Sequence, residues 1–120
     1  MIAVWISLAG GLGAVARLVV DGAIRERWSA TFPIATFAIN VSGSLLLGVL
    51  TGLVLFRHSP TDLAHIAGTG FCGGYTTFST ASFETVRLVQ RGATSWAVLY
   101  GVGSVLTTVG AAGLGLALAS

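Results

Sequence analysis

The sequence is poor in charge. Six basic and four acidic residues make up 8% of its 120 positions, against about a quarter in ordinary soluble domains. Lysine is absent, and all six basic residues are arginines. They are scattered instead of massed, which argues against a nucleic-acid surface and leaves no nucleic-acid partner expected. Cysteine occurs once, at Cys72, so an internal disulfide is excluded and nothing points to an oxidising compartment. A small buried apolar side chain and a reactive thiol are both open to Cys72. No acid and base pair, nucleophile triad, phosphate loop or zinc spacing is present, and Asp21, Glu26, Asp62, His58 and His65 form no metal-ligand grouping. An enzyme is not expected. A positive leader region is missing too, because no arginine precedes Arg17. Ala14-Val15-Ala16 mimics a cleavage site, but the first apolar stretch reads as a retained helix.

What fills the space is apolar. Hydrophobic residues make up 54% of the chain and the mean hydropathy is +0.90, which makes a bilayer the natural solvent. Four stretches stand out, Ile2 to Val20, Pro33 to Phe56, Leu63 to Phe83 and Thr94 to Ala119. Each is near the roughly 20 residues that cross a hydrocarbon core as a helix. The expected fold is an all-α membrane protein, a single domain over 1–120 with four spans, and one such chain is too short to surround an aqueous pore alone. Asp21 to Phe32, Arg57 to Asp62 and Glu84 to Ala93 hold nearly all the charge and read as loops and helix ends. Pro33 suits the start of the second helix, Ser59-Pro60-Thr61-Asp62 a turn and cap before the third, and Trp5, Trp28 and Trp96 the headgroup zone. The first and third loops carry Arg25, Arg27, Arg87 and Arg91, and the other side only Arg57, which predicts those two loops in the cytoplasm.

Small residues at four-residue spacing let membrane helices approach closely. Asn40, Ser44, Gly48 and Gly52 form such a stripe in the second helix. Gly10 and Gly13 lead to Arg17 in the first, and Ser104 and Thr108 precede Gly110, Gly113 and Gly115 in the fourth. The polar members are the better site candidates. Asn40 suits either donation to an anion or a hydrogen bond between helices. Arg17 is placed to snorkel to the interface, to cap carbonyls or to concentrate anions. The third stretch, from Gly68 to Phe83, is crowded with glycines and hydroxyls. A break is predicted at Gly73-Gly74, and at membrane depth its freed backbone groups require protein, water or an ion. Exposed carbonyls there suit a hard cation such as Na⁺, and a kinked packing helix is the competing reading.

Gly10-x-x-Gly13-x-x-x-Arg17, Asn40-Val-Ser-Gly-Ser44 with Leu47-Gly48, and Gly70-Phe-Cys-Gly-Gly-Tyr-Thr-Thr-Phe-Ser-Thr80 appear in the order and spacing of the Fluc (CrcB-like) fluoride channel family, which the chain resembles over essentially its whole length. The third of these motifs is the specific one. The resemblance implies an antiparallel dimer in the cell (plasma or inner) membrane of a prokaryote, a broken third helix, and a central structural Na⁺ held by the backbone carbonyls of Gly73 and Thr76. It implies passive fluoride export that relieves fluoride toxicity, along a path lined by Asn40 and Phe78, with Thr77, Ser79 and Thr80 beside them and Ser104 and Thr108 as a polar track.

One departure stands out. The family's Phe-Ser-Thr-Phe is here Phe78-Ser79-Thr80-Ala81, and Phe83 is no substitute, because five residues turn a helix by about 140°. The second ring position is then empty or filled from another helix. With the arginine bias, this points to a heterodimer with an oppositely oriented homologue, against a homodimer that tolerates Ala81. Two rivals remain, a non-conducting partner subunit and a small four-helix multidrug exporter. The latter would want an acid at the centre of a span.

Overall fold

The computed structural model describes residues 1–28 and 33–120, and among them every regular element is helical. The order is α1 (Ile2–Arg27), α2 (Ile34–Arg57), a single turn α3 (Thr61–Leu63), a π-helical segment (Ala64–Cys72), another single turn α4 (Gly73–Tyr75), α5 (Phe78–Gln90) and α6 (Thr94–Ala119). Of these, α1, α2 and α6 are long and apolar enough to cross a membrane. Their 26, 24 and 26 residues exceed the roughly 20 that a hydrocarbon core demands.

Two of the stretches read as loops and helix ends are helix over most of their described residues. Residues 21–27 continue α1, because Asp21 and Arg25 stand one turn apart and pair, Nε to Oδ1 at 2.9 Å, the spacing that supports a helix instead of ending it. The end of that expected loop, at Phe32, lies outside the described residues. Glu84 likewise falls inside α5, which runs on to Gln90. The stop comes from Gly92, whose φ of +81° is the left-handed conformation that glycine adopts without strain. Gly92 N–H donates to Val89 O at 3.0 Å and Ala93 N–H to Leu88 O at 2.9 Å, which satisfies two of the terminal carbonyls. Ahead of the third stretch, α3 begins at Thr61 directly after Pro60, with no side-chain cap.

The third stretch departs most from expectation. Gly73 has helical dihedrals, φ −63° and ψ −39°, so the backbone does not break at Gly73-Gly74. Helical geometry is lost instead at Thr76 (φ −82°, ψ 159°) and Thr77 (φ −148°, ψ 117°). Gly74 serves contact. A Cβ there would strike the Gly10 carbonyl oxygen and lie 2.9 Å from its carbon, and one on Gly13 would strike Phe71 O and lie 2.9 Å from Tyr75 N. Backbone against backbone thus joins α1 to 64–75. The other main interface is α2 against α6, where a Cβ on Gly48 would meet the Ala112 carbonyl, 2.8 Å from its carbon. Small residues permit both approaches.

A compact core of Leu88, Ala97 and Tyr100, with Phe37, Ala81 and Ala93 packed around it, ties α5 to α6 and α2.

 Most other large apolar side chains face outward, among them Leu12, Leu18, Leu106 and Leu118, as suits a chain surrounded by lipid or by a partner.

Candidate functional site

The two extended residues 76–77 organise the site. Thr77 N–H donates to Asn40 Oδ1 at 2.8 Å, and Asn40 Nδ2 donates to Thr77 O at 3.0 Å. The Asn40 amide from α2 therefore satisfies both backbone groups of Thr77, and the interhelical role open to it in the sequence is real. One of its two amide hydrogens is left over. Thr77 is also the N-cap of α5. Its Oγ1 accepts from Thr80 N–H at 3.2 Å and donates to Thr80 Oγ1 at 3.1 Å, the usual way to satisfy a first-turn donor.

These bonds redirect two donors. The N–H four residues after Gly73 belongs to Thr77 and goes to Asn40, and the N–H four residues after Thr76 belongs to Thr80 and goes to Thr77 Oγ1. The Gly73 and Thr76 carbonyls thus lose the donors that a continuous helix would give them. Thr76 N–H and Oγ1–H both turn back to Cys72 O, at 2.9 and 2.8 Å. Among the described residues no three His, Cys, Asp or Glu side chains gather at one point, so a cation here would depend on backbone oxygen. Gly73 and Thr76 fit that demand, since backbone carbonyls freed at a helix interruption suit hard cations.

A cleft of about 290 Å³ opens beside the extended pair. It brings together Asn40, Thr76, Thr77, Phe78, Ser104 and Thr108, drawn from α2, the third stretch and α6. The chemistry of each differs. Ser104 Oγ is buried and has no hydrogen-bond partner among the described residues. Thr108 has committed its proton to Ser104 O at 2.7 Å, so it offers lone pairs and no donor. Phe78, at the first position of α5, is 85% exposed among the described residues.

Other expected residues lie elsewhere. Ser79 is exposed, 3.4 Å from Thr77 Oγ1, and Thr80 faces a separate hollow on the opposite side of α5. Arg17 lines neither. Its Nε is buried without a partner, so that nitrogen caps no carbonyl. Phe83 opens on the hollow with Thr80 while Ala81 opens on the cleft, in keeping with the helical rotation between them. The Ala81 position is bordered by Tyr100 from α6.

Ser44, a polar member of the α2 stripe, also lines the cleft, as do Thr85 and Tyr100, to which the sequence reading gives no site role. Tyr100 stands four residues before Ser104, on the same face of α6 as Ser104 and Thr108, and that spacing was the available signal. Its hydroxyl donates to Glu84 Oε1 at 3.4 Å, and Glu84 Oε2 accepts from Arg25 Nη2 at 3.3 Å. Glu84 is thus an acid within a helix, engaged by Arg25 of α1 and Tyr100 of α6.

The family described as CrcB-like protein, Camphor Resistance (CrcB), matches residues 4–116. The chain is 56% identical over 111 residues to the fluoride-specific ion channel FluC 1 of Leifsonia xyli subsp. xyli, which covers 92% of this chain and 81% of that protein. It is 48% identical over 121 residues to the fluoride-specific ion channel FluC 2 of Cutibacterium acnes, covering 100% and 98%. A third relative, the fluoride-specific ion channel FluC of Nitrobacter winogradskyi, is 44% identical over 107 residues. These relatives are named as ion channels and not as enzymes. With matches of this extent along nearly its whole length, the chain belongs to the CrcB-like family.

Proposed function

We propose that this chain is a subunit of a fluoride-selective channel in the cell membrane of a prokaryote, exporting F⁻ passively down its electrochemical gradient and so relieving fluoride toxicity. The observation that carries the reading is the buried, unpartnered Ser104 hydroxyl on the cleft shared with Asn40 and Phe78. A buried donor left unmatched costs about 1–3 kcal/mol, and a small anion is the acceptor that would remove that cost. The relatives named for fluoride support F⁻ as that anion.

Fluoride is small and strongly hydrated, so a dry path must replace its water with hydrogen bonds. Ser104 Oγ–H and the second Asn40 amide hydrogen are the donors available. The positive edge of the Phe78 ring adds a weak attraction. Thr77, with Ser79 and Thr80 bonded to it, holds the start of α5 and thereby the position of that ring.

A single chain does not enclose the cleft, and the exposed Phe78 ring is placed to meet a second subunit. The path then lies at a dimer interface, in the antiparallel arrangement that the family resemblance implies. The carbonyls of Gly73 and Thr76 are the proposed ligands of a central Na⁺, whose charge would offset the cost of an anion between apolar helices. Ala81 supports a second reading, in which the partner is an oppositely oriented homologue and this subunit contributes one incomplete wall.

Growth in fluoride tests the function. Expressed in a bacterial strain lacking its own fluoride exporter, alone or with the homologue, the wild-type chain is expected to restore growth, and Asn40→Ala and Phe78→Ala are not. Rescue by both variants at wild-type level would sink the path assignment.

A further inference from the structure

Away from the Asn40 cleft, a hollow of about 380 Å³ opens where α1 and α5 end and α2 begins, lined by Arg25, Pro33, Phe83, Glu84, Arg87 and Arg91 among others. Three guanidiniums face one carboxylate here, in a chain whose formal net charge is +2. The fold thus brings half of the chain's six arginines, spread out in sequence, to one place, against the carboxylate of Glu84 and, through Arg25, that of Asp21.

The arginines are not equivalent. Arg25 is committed, its Nε to the two Asp21 carboxylate oxygens at 2.9 and 3.0 Å and its Nη2 to Glu84 at 3.3 Å. Arg87 and Arg91, one helical turn apart, make no ion pair among the described residues. Arg87 lies over the Phe83 ring, 5.6 Å from its centroid. Arginines near a helix C-terminus also complement its dipole. That effect does not require arginines from two helices to share one hollow.

We propose that this hollow binds the phosphate headgroup of an anionic phospholipid. A guanidinium presents a planar fork of donors that matches phosphate oxygens, and basic pockets between membrane helices suit anionic headgroups. The location agrees. The ends of α1 and α5 and the start of α2 meet there, and Trp28 and Trp96, 58% and 46% exposed, stand near the same helix ends, where indoles settle among headgroups. The volume is that of a small-ligand site. Phe83 and Val86, both exposed on α5, offer an apolar continuation for the acyl chains.

The test uses the purified, assembled protein in detergent, titrated separately with short-chain phosphatidylglycerol, phosphatidylcholine of the same chain length, and inorganic phosphate. Thermal melting and lipid adducts in native mass spectrometry are read together. Phosphatidylglycerol is expected to raise the melting temperature and to leave a bound adduct, and phosphatidylcholine and inorganic phosphate are expected to do so at least tenfold more weakly. Arg87→Gln with Arg91→Gln should weaken the phosphatidylglycerol response tenfold or more. Arg27→Gln, which removes one charge at the same end but outside the hollow and so is matched to Arg91→Gln alone, should not. If the double variant does not fold, Arg91→Gln alone and Arg87→Lys give the same comparison, the lysine keeping charge but losing the fork. An undiminished response in the hollow variants overturns the proposal, as does an equal response to the zwitterionic lipid. Full competition by inorganic phosphate would assign the hollow to a free anion and overturn the lipid source.

Discussion

The Asn40 side chain pairs with both backbone groups of Thr77, accepting from its N–H at 2.8 Å and donating to its carbonyl at 3.0 Å. Thirty-seven residues separate the two in sequence, so this amide is what ties the interruption before α5 to the middle of the second span. Asn40→Ala removes both bonds and leaves two backbone groups without partners in a partly buried place. A loss of about 1–3 kcal/mol is expected, read as a lower thermal midpoint, with fluoride flux per folded protein down tenfold or more. Asn40→Asp keeps the acceptor and loses the donor. It should recover part of the stability and little of the flux.

Phe78 separates function from folding. Its ring is 85% exposed, so Phe78→Ala removes little buried surface from the subunit and should change its stability by less than about 0.5 kcal/mol. Flux should nevertheless fall tenfold or more. Parallel melting and efflux measurements on one preparation check the pair, and a large stability loss would show that the ring is a structural contact.

Thr77 caps α5 through its hydroxyl. Thr77→Ala should cost about 1 kcal/mol, while Thr77→Ser keeps the oxygen and should stay within a few tenths of wild type. Chemical or thermal denaturation of the three proteins in one detergent compares them directly. Equal stability of all three would contradict the cap.

Two glycines in α1 make opposite predictions. A Cβ on Gly13 would strike Phe71 O, whereas nothing lies within 4 Å of one on Gly11. Gly13→Ala must move a backbone and should destabilise by about 1–3 kcal/mol. Gly11→Ala should be neutral or gain up to about 1 kcal/mol from helix propensity. The two midpoints, measured side by side, should fall on opposite sides of wild type or nearly so.

Much of this was legible in the residues, because apolar stretches, helical spacing and the Gly70-to-Thr80 motif are local signals. The fourth span, Thr94 to Ala119, matches α6 end to end. The misreadings have specific causes. Charge at residues 21–27 suggested a loop, although Asp21 and Arg25 one turn apart are a helix pair, and Gly92 after Arg91 was a visible stop for α5. Gly73-Gly74 suggested a break because glycine weakens helices, whereas Gly74 is needed where α1 presses closest. The loss of helix at Thr76 and Thr77 depends on Asn40, and a partner in another helix leaves no mark in the local sequence. The same limit hid which hydroxyls keep a free proton. Ser104 and Thr108 look alike in the chain, yet Thr108 donates to its own helix and Ser104 does not.

The central claim is that this chain forms a fluoride-selective path, and anion efflux from liposomes tests it most directly. The purified protein is reconstituted alone and together with an oppositely oriented homologue, and fluoride and chloride release are followed under the same gradient. Fluoride efflux far exceeding chloride efflux in at least one of the two preparations, and reduced tenfold or more by Asn40→Ala, is the predicted result. Absence of fluoride-selective efflux from both, with the protein folded and dimeric, would contradict it.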